Sequence, residues 1–198
     1  TTHDLVHVNF DPRFGRIVPG MDGPVTIKAN GLPHSFWHDT VNPFSSSYEF
    51  FPLFDAIVAT GVVPRAIRER TGCDRVFTVN PGVDTSAFTP PSNRDRSSPV
   101  TILYVGRFVP VKHLTLLVEA FGEVRERYSN VELVLVGDGP KRERIASRID
   151  SLGLADSVTL PGYVPNEDVA SYYRRADVFA LSSRSENHPI AVLEAMSS

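Results

Sequence analysis

From residue 100 onward, apolar β-like runs and helical patterns alternate without a break, and nothing else in the chain narrows its fold as far. Strands are expected over 100–105, 131–136, 157–160 and 178–181, and helices over 113–128, 141–152 and 166–175, with a last helix opening at Pro189. Leu116, Leu117, Ala120, Phe121 and Val124 lie near helical spacing, and Gly153 stops the helix that Gly139-Pro140 starts. Strands separated by helices pair in parallel through right-handed crossovers, which predicts an α/β class and a Rossmann-like doubly wound domain. Ligands of such sheets bind beyond the carboxyl ends of the strands. Gly106-Arg107, Gly137-Asp138-Gly139, Gly162-Tyr163-Val164 and residues 183–188 all fall at such ends.

The first half follows the same rule less clearly. Strands are expected over 5–10, 25–29, 54–60 and 75–80, and helices over 44–51 and 62–70, the latter stopped by Gly72. Residues 87–99 are polar and proline-rich, which predicts a linker between a first domain over 1–86 and a second over 100–198. The chain opens without Met in a strand-like run and stops inside a helix, so both domains are expected to be incomplete and the sequence to be an internal fragment. Apolar content of 41% and charge of 22% describe a globular protein, and a net charge of -3 gives no reason to expect nucleic acid. The single cysteine, Cys73, excludes an internal disulfide and fits a reducing, cytoplasmic compartment. Lys141, Arg142, Arg144 and Arg148 form a basic helical cluster: a solvated face, or a peripheral contact with the inner face of a membrane.

The densest chemistry lies in residues 182–198. A strand delivers Glu186 to a helix start at Pro189, where free N–H groups and the helix dipole favour anionic or hydroxyl-rich ligands. Glu194 follows after seven residues, in mid-helix, where a covered carboxylate needs a polar partner. Standing alone, Glu186 reads as a helix-start acid and Glu194 as a solvated one. They do not stand alone. The pair, followed by E-A-M, resembles the E-x7-E element of retaining, GT-B-fold glycosyltransferases of family 4; Gly106 to Lys112 resembles that family's G-R-x-x-x-x-K segment, and Asn80-Pro81-Gly82-Val83-Asp84 its N/P-x-G-V-D linker.

The resemblance implies two Rossmann-like domains and transfer of a sugar from a nucleotide diphosphate sugar to a glycan, lipid or small-molecule hydroxyl. It gives Arg107, Lys112 and Glu186 the catalytic roles, the cations on the departing diphosphate and Glu186 on the sugar hydroxyls. It places the donor against Gly106, Tyr163, Val164, Asn187, His188, Pro189 and Ile190, with Glu194 on the ribose. His113 and Asn187 stand where the family has glycines. A family histidine at a strand end in the first domain corresponds here to Asn30, with His34 just beyond, so these two are the acceptor-side candidates. The sequence has no D-x-D triplet and no Cys/His cluster at zinc spacing, so neither a metal nor a cofactor is expected beside the donor. Alternatives are a GT-B phosphorylase or nucleotide-sugar epimerase, and a non-catalytic nucleotide-binding module.

Overall fold

The computed structural model describes residues 6–9, 24–29, 51–61, 63–93, 99–186 and 188–198. The chain divides into two compact units, Thr1–Pro81 and Gly82–Ser198. The first holds four parallel strands in the order β1 (Val6–Asn9), β2 (Val25–Ala29), β3 (Ala56–Ala59) and β4 (Val76–Thr78). Helix α1 (Val63–Thr71) connects β3 to β4 and ends at Gly72, whose φ of 66° is the left-handed geometry of a helix stop. Val63 and Ile67 of α1 pack with Val25, Ile27, Phe54 and Ile57 into one core. Of the helix expected over 44–51, only Phe51 falls within the described residues, in a single helical turn over 51–53.

The second unit is a parallel sheet in the order β7-β6-β5-β8, built from β5 (Val100–Val105), β6 (Val131–Val136), β7 (Val158–Gly162) and β8 (Val178–Phe179). Helices α2 (Leu114–Arg127), α3 (Arg142–Ser151) and α4 (Asn166–Arg175) are the crossovers, and α5 (Ile190–Ser197) follows β8. The first strand of the unit thus lies second from the edge, and the chain reverses its direction of build-up between β5 and β8. That reversal is a topological switch point.

Alternation along the strands builds two cores. Tyr104, Leu133 and Leu135 face Leu114, Val118, Phe121, Ile145 and Ile149 of α2 and α3. Leu103 and Val136 on the opposite face meet Val169 and Tyr173 of α4. Each fully buried Leu or Ile contributes about 1.5–3 kcal/mol by leaving water. Residues expected to begin the linker are tied to this unit: Phe88 packs edge-on against Tyr173 at 5.6 Å, and its carbonyl accepts from Ser197 Oγ at 2.6 Å. Among the described residues no helix is long and apolar enough to cross a membrane.

Candidate donor site

The loops leaving β5, β6 and β7 are stitched into one rim. Gly106 N–H donates to the Val136 carbonyl, Gly137 N–H to that of Gly162, and Phe108 N–H to that of Asp138, at 3.0, 2.8 and 2.8 Å. These contacts leave no room for side chains. A Cβ on Gly137, at φ 133°, would stand 2.0 Å from the Gly106 carbonyl oxygen. Two glycines therefore let adjacent strand ends close on each other.

Beside the rim, the loops after β5 and β8 meet. A 3-10 turn over Pro110–Lys112 ends at His113, the single described non-glycine residue at positive φ (53°). A glycine there would avoid the strain that the imidazole-bearing residue carries. Ser182 Oγ donates to the Lys112 carbonyl at 2.9 Å and Arg184 N–H to that of Val111 at 2.9 Å. These ties bring Lys112 Nζ to 2.5 Å from Glu186 Oε1 across 74 residues of sequence. The two side chains are 22% and 21% exposed, so solvent screens the pair only partly.

A neighbouring cavity of about 460 Å³ is lined by Gly106, Arg107, Tyr163, Val164 and Glu194, with Phe88 closing one side. Arg107 and Tyr163 are exposed, and no carboxylate among the described residues pairs with Arg107. Glu194 has the partner its place in the helix demands: Tyr173 donates its hydroxyl to Oε2 at 2.7 Å. Burial, and after it the bond to the charged Glu194, push the Tyr173 hydroxyl far above its ordinary range. Tyr104, fully buried beneath the rim, donates to the Arg107 carbonyl at 3.2 Å, and burial and the Glu186 charge hold it protonated as well. Both tyrosines stay neutral donors at physiological pH.

The other candidates fall as follows. His188 and Pro189 are half-buried ahead of α5, and Ile190 is its exposed first residue. His188 Nε2 and Ser183 Oγ, on either side of Glu186, are buried without a hydrogen-bond partner among the described residues, an arrangement that calls for a polar ligand or water. Asn187, Asn30 and His34 lie outside the described residues. The sequence pattern places Ser183 among the strand-end loops without singling it out and says nothing of Tyr104 or Tyr173; a buried tyrosine carries no motif, and only its distance to a carboxylate or carbonyl reveals a role. Two other hollows, one near Thr101 and Glu132 and one near Gly122 and Leu152, contain none of the candidates.

The family described as glycosyl transferases group 1 matches residues 87–198. One component of the phosphatidylinositol N-acetylglucosaminyltransferase of Arabidopsis thaliana is 39% identical over 123 residues, 62% of this chain and 28% of that protein. Mannosylfructose-phosphate synthase of Agrobacterium fabrum is 32% identical over 163 residues, 73% of this chain and 36% of that protein. Among solved structures, S. aureus TarM in complex with UDP superposes with a TM-score of 0.78 at 18% identity, over 94% of this chain and 38% of that one. The chain thus spans about a third of the length of these relatives.

Proposed function

The chain belongs to the group 1 glycosyl transferases, and on that premise we propose that it holds the donor site of a retaining glycosyltransferase using a nucleotide diphosphate sugar. The observation that carries the reading is the Lys112–Glu186 pair at the switch point, where the family's cation and first glutamate meet at 2.5 Å. Each of these groups has a use for the donor. Lys112 and Arg107 supply the positive charge that the departing diphosphate requires as its bond to the sugar breaks. Glu186 accepts hydrogen bonds from sugar hydroxyls and orients the oxocarbenium-like ring as it forms. Donor binding exchanges the internal pair for two external partners. The buried Ser183 Oγ and His188 Nε2 add polar atoms to the same loop.

In the neighbouring cavity Glu194, braced by Tyr173, receives the ribose hydroxyls, while Tyr163 and Val164 flank the base. The UDP held by TarM, whose fold this chain shares, supports a nucleotide diphosphate sugar as the donor. Leaving-group charge is met by Arg107, Lys112 and the start of α5, without a metal or organic cofactor. The acceptor is the hydroxyl of a glycan, lipid or small molecule, the lipid favoured by the phosphatidylinositol that the Arabidopsis relative is named for, and the protein works in the cytoplasm, at the inner face of a membrane where the acceptor is a lipid. Asn30 and His34 are its acceptor-side candidates.

Thermal unfolding of the full-length protein with UDP-, GDP- and ADP-sugars tests this reading. A donor at a hundred times its dissociation constant adds about 2.7 kcal/mol. One nucleotide is expected to raise the midpoint, and Lys112→Ala to remove the shift. A melt that no nucleotide moves, or a Lys112→Ala variant that binds as well as the parent, overturns it. Glu186→Gln is expected to keep nucleotide binding and lose transfer.

A further inference from the structure

The basic cluster over Lys141, Arg142, Arg144 and Arg148 is not one patch. Arg148 Nη2 is spent on Glu119 at 2.9 Å, and Arg142 donates to the Leu160 carbonyl at 3.3 Å. Lys141 and Arg144 remain, with no carboxylate among the described residues pairing with either. They line a separate cavity of about 260 Å³ together with Arg184, His113 and Thr115, and no acidic residue lines it. Three cations from two distant segments therefore share one small concavity, in a chain whose net charge is -3.

We propose that this cavity is a second anion site and that it takes a phosphate monoester. The size suits a single phosphoryl group with a short stem, and guanidinium forks match its oxygens in pairs. Arg184 is held in place: its Nη2 donates to His113 Nε2 at 3.0 Å, and its own N–H is bonded to Val111. The backbone adds to the field. Both α2 and α3 begin at the cavity without a side-chain cap, and Lys141 and Arg144 stand at the positive end of α3, where the helix dipole opposes cations. Glu143 lies in the same turn but does not line the cavity. A bound phosphate turns this unfavourable arrangement of charge into a favourable one. The cavity is distinct from the one lined by Glu194, yet it shares the loop carrying Lys112.

Calorimetric titration of the full-length protein with inorganic phosphate and with glycerol 3-phosphate is the test, alongside flotation with phosphatidylcholine vesicles with and without phosphatidic acid. Lys141→Ala/Arg144→Ala is expected to weaken phosphate binding about tenfold or more and to leave nucleotide binding as it was, since each lost charge-assisted contact weakens affinity strongly. Arg107→Ala/Lys112→Ala is expected to keep phosphate binding while losing nucleotide, which separates this site from the donor site. Binding of glycerol 3-phosphate without vesicle capture assigns a small soluble ligand; capture by phosphatidic acid vesicles that the Lys141/Arg144 variant loses assigns a lipid headgroup. Phosphate binding that survives the Lys141/Arg144 change, or that disappears with Arg107 and Lys112, overturns the proposal. Melting of each variant in phosphate-free buffer guards against misfolding: relieved of repulsion at the start of α3, the Lys141/Arg144 variant should melt no lower than the parent.

Discussion

Single residues decide how the candidate site is held before a ligand arrives. Lys112 and Glu186 satisfy each other, so removing either leaves a largely covered charge without its counterpart. Lys112→Ala is expected to cost about 1–3 kcal/mol of stability, and Lys112→Ala/Glu186→Gln less than the sum of the two single changes, read from denaturant unfolding in a double-mutant cycle. Tyr173 acts through Glu194: Tyr173→Phe removes the 2.7 Å bond and is expected to weaken nucleotide binding severalfold while leaving the cavity lining in place, at about 1–2 kcal/mol of stability. The two buried tyrosines also set a pH limit. Their folded-state pKa values lie above the ordinary value of 10.0, so their contribution is complete below that pH and is lost as pH rises toward the folded values. Midpoints measured from roughly pH 9 to pH 11 are expected to fall, and to fall less steeply for Tyr104→Phe or Tyr173→Phe.

Elements explain what the sequence made legible. The strand and helix order of the second unit could be read directly because each apolar run has one period, and β5, β6, β7 and α3 each meet a glycine at their ends: Gly106, Gly137, Gly162 and Gly153. That Arg107, Lys112 and Glu186 stand on strand-to-helix joints, and Glu194 within the helix that follows, was legible in the same pattern. Three things could not. Strand β8 ends at Phe179 rather than Leu181 because Ala180 makes the last ladder bond, to the Leu103 carbonyl, and Ser182 then turns to the Lys112 carbonyl. The Tyr173–Glu194 bond spans α4 and α5, and no local pattern encodes a contact between helices. The role of residue 113 is set by the backbone: at φ 53° it turns the chain from the Pro110–Lys112 turn into α2. His113→Gly is accordingly expected to leave stability unchanged or raise it by up to about 1 kcal/mol, and His113→Val to lower it by about 1–2 kcal/mol, because a β-branched residue fits this region worst. The reverse holds at the rim, where Gly137→Ala drives a Cβ into the Gly106 carbonyl and is expected to cost about 3 kcal/mol or more with loss of nucleotide binding.

At the scale of the molecule, the division between Pro81 and Gly82 separates three cores that share no buried residue: the core containing Ile67 belongs to the first unit, and the two containing Leu135 and Tyr173 to the second. All the described candidate residues, and the cavity beside them, lie in the second unit. A nucleotide that binds there therefore stabilises the second unit in the first instance. Scanning calorimetry is expected to resolve two transitions. Ile67→Ala and Leu135→Ala each delete a fully buried aliphatic side chain, costing about 2–5 kcal/mol. The first should lower one transition, the second the other, and the nucleotide should raise only the transition that Leu135→Ala lowers. If both substitutions lower a single transition together, the units are one cooperative body and nucleotide binding is felt throughout; two transitions that respond separately make the second unit a self-standing carrier of the donor site.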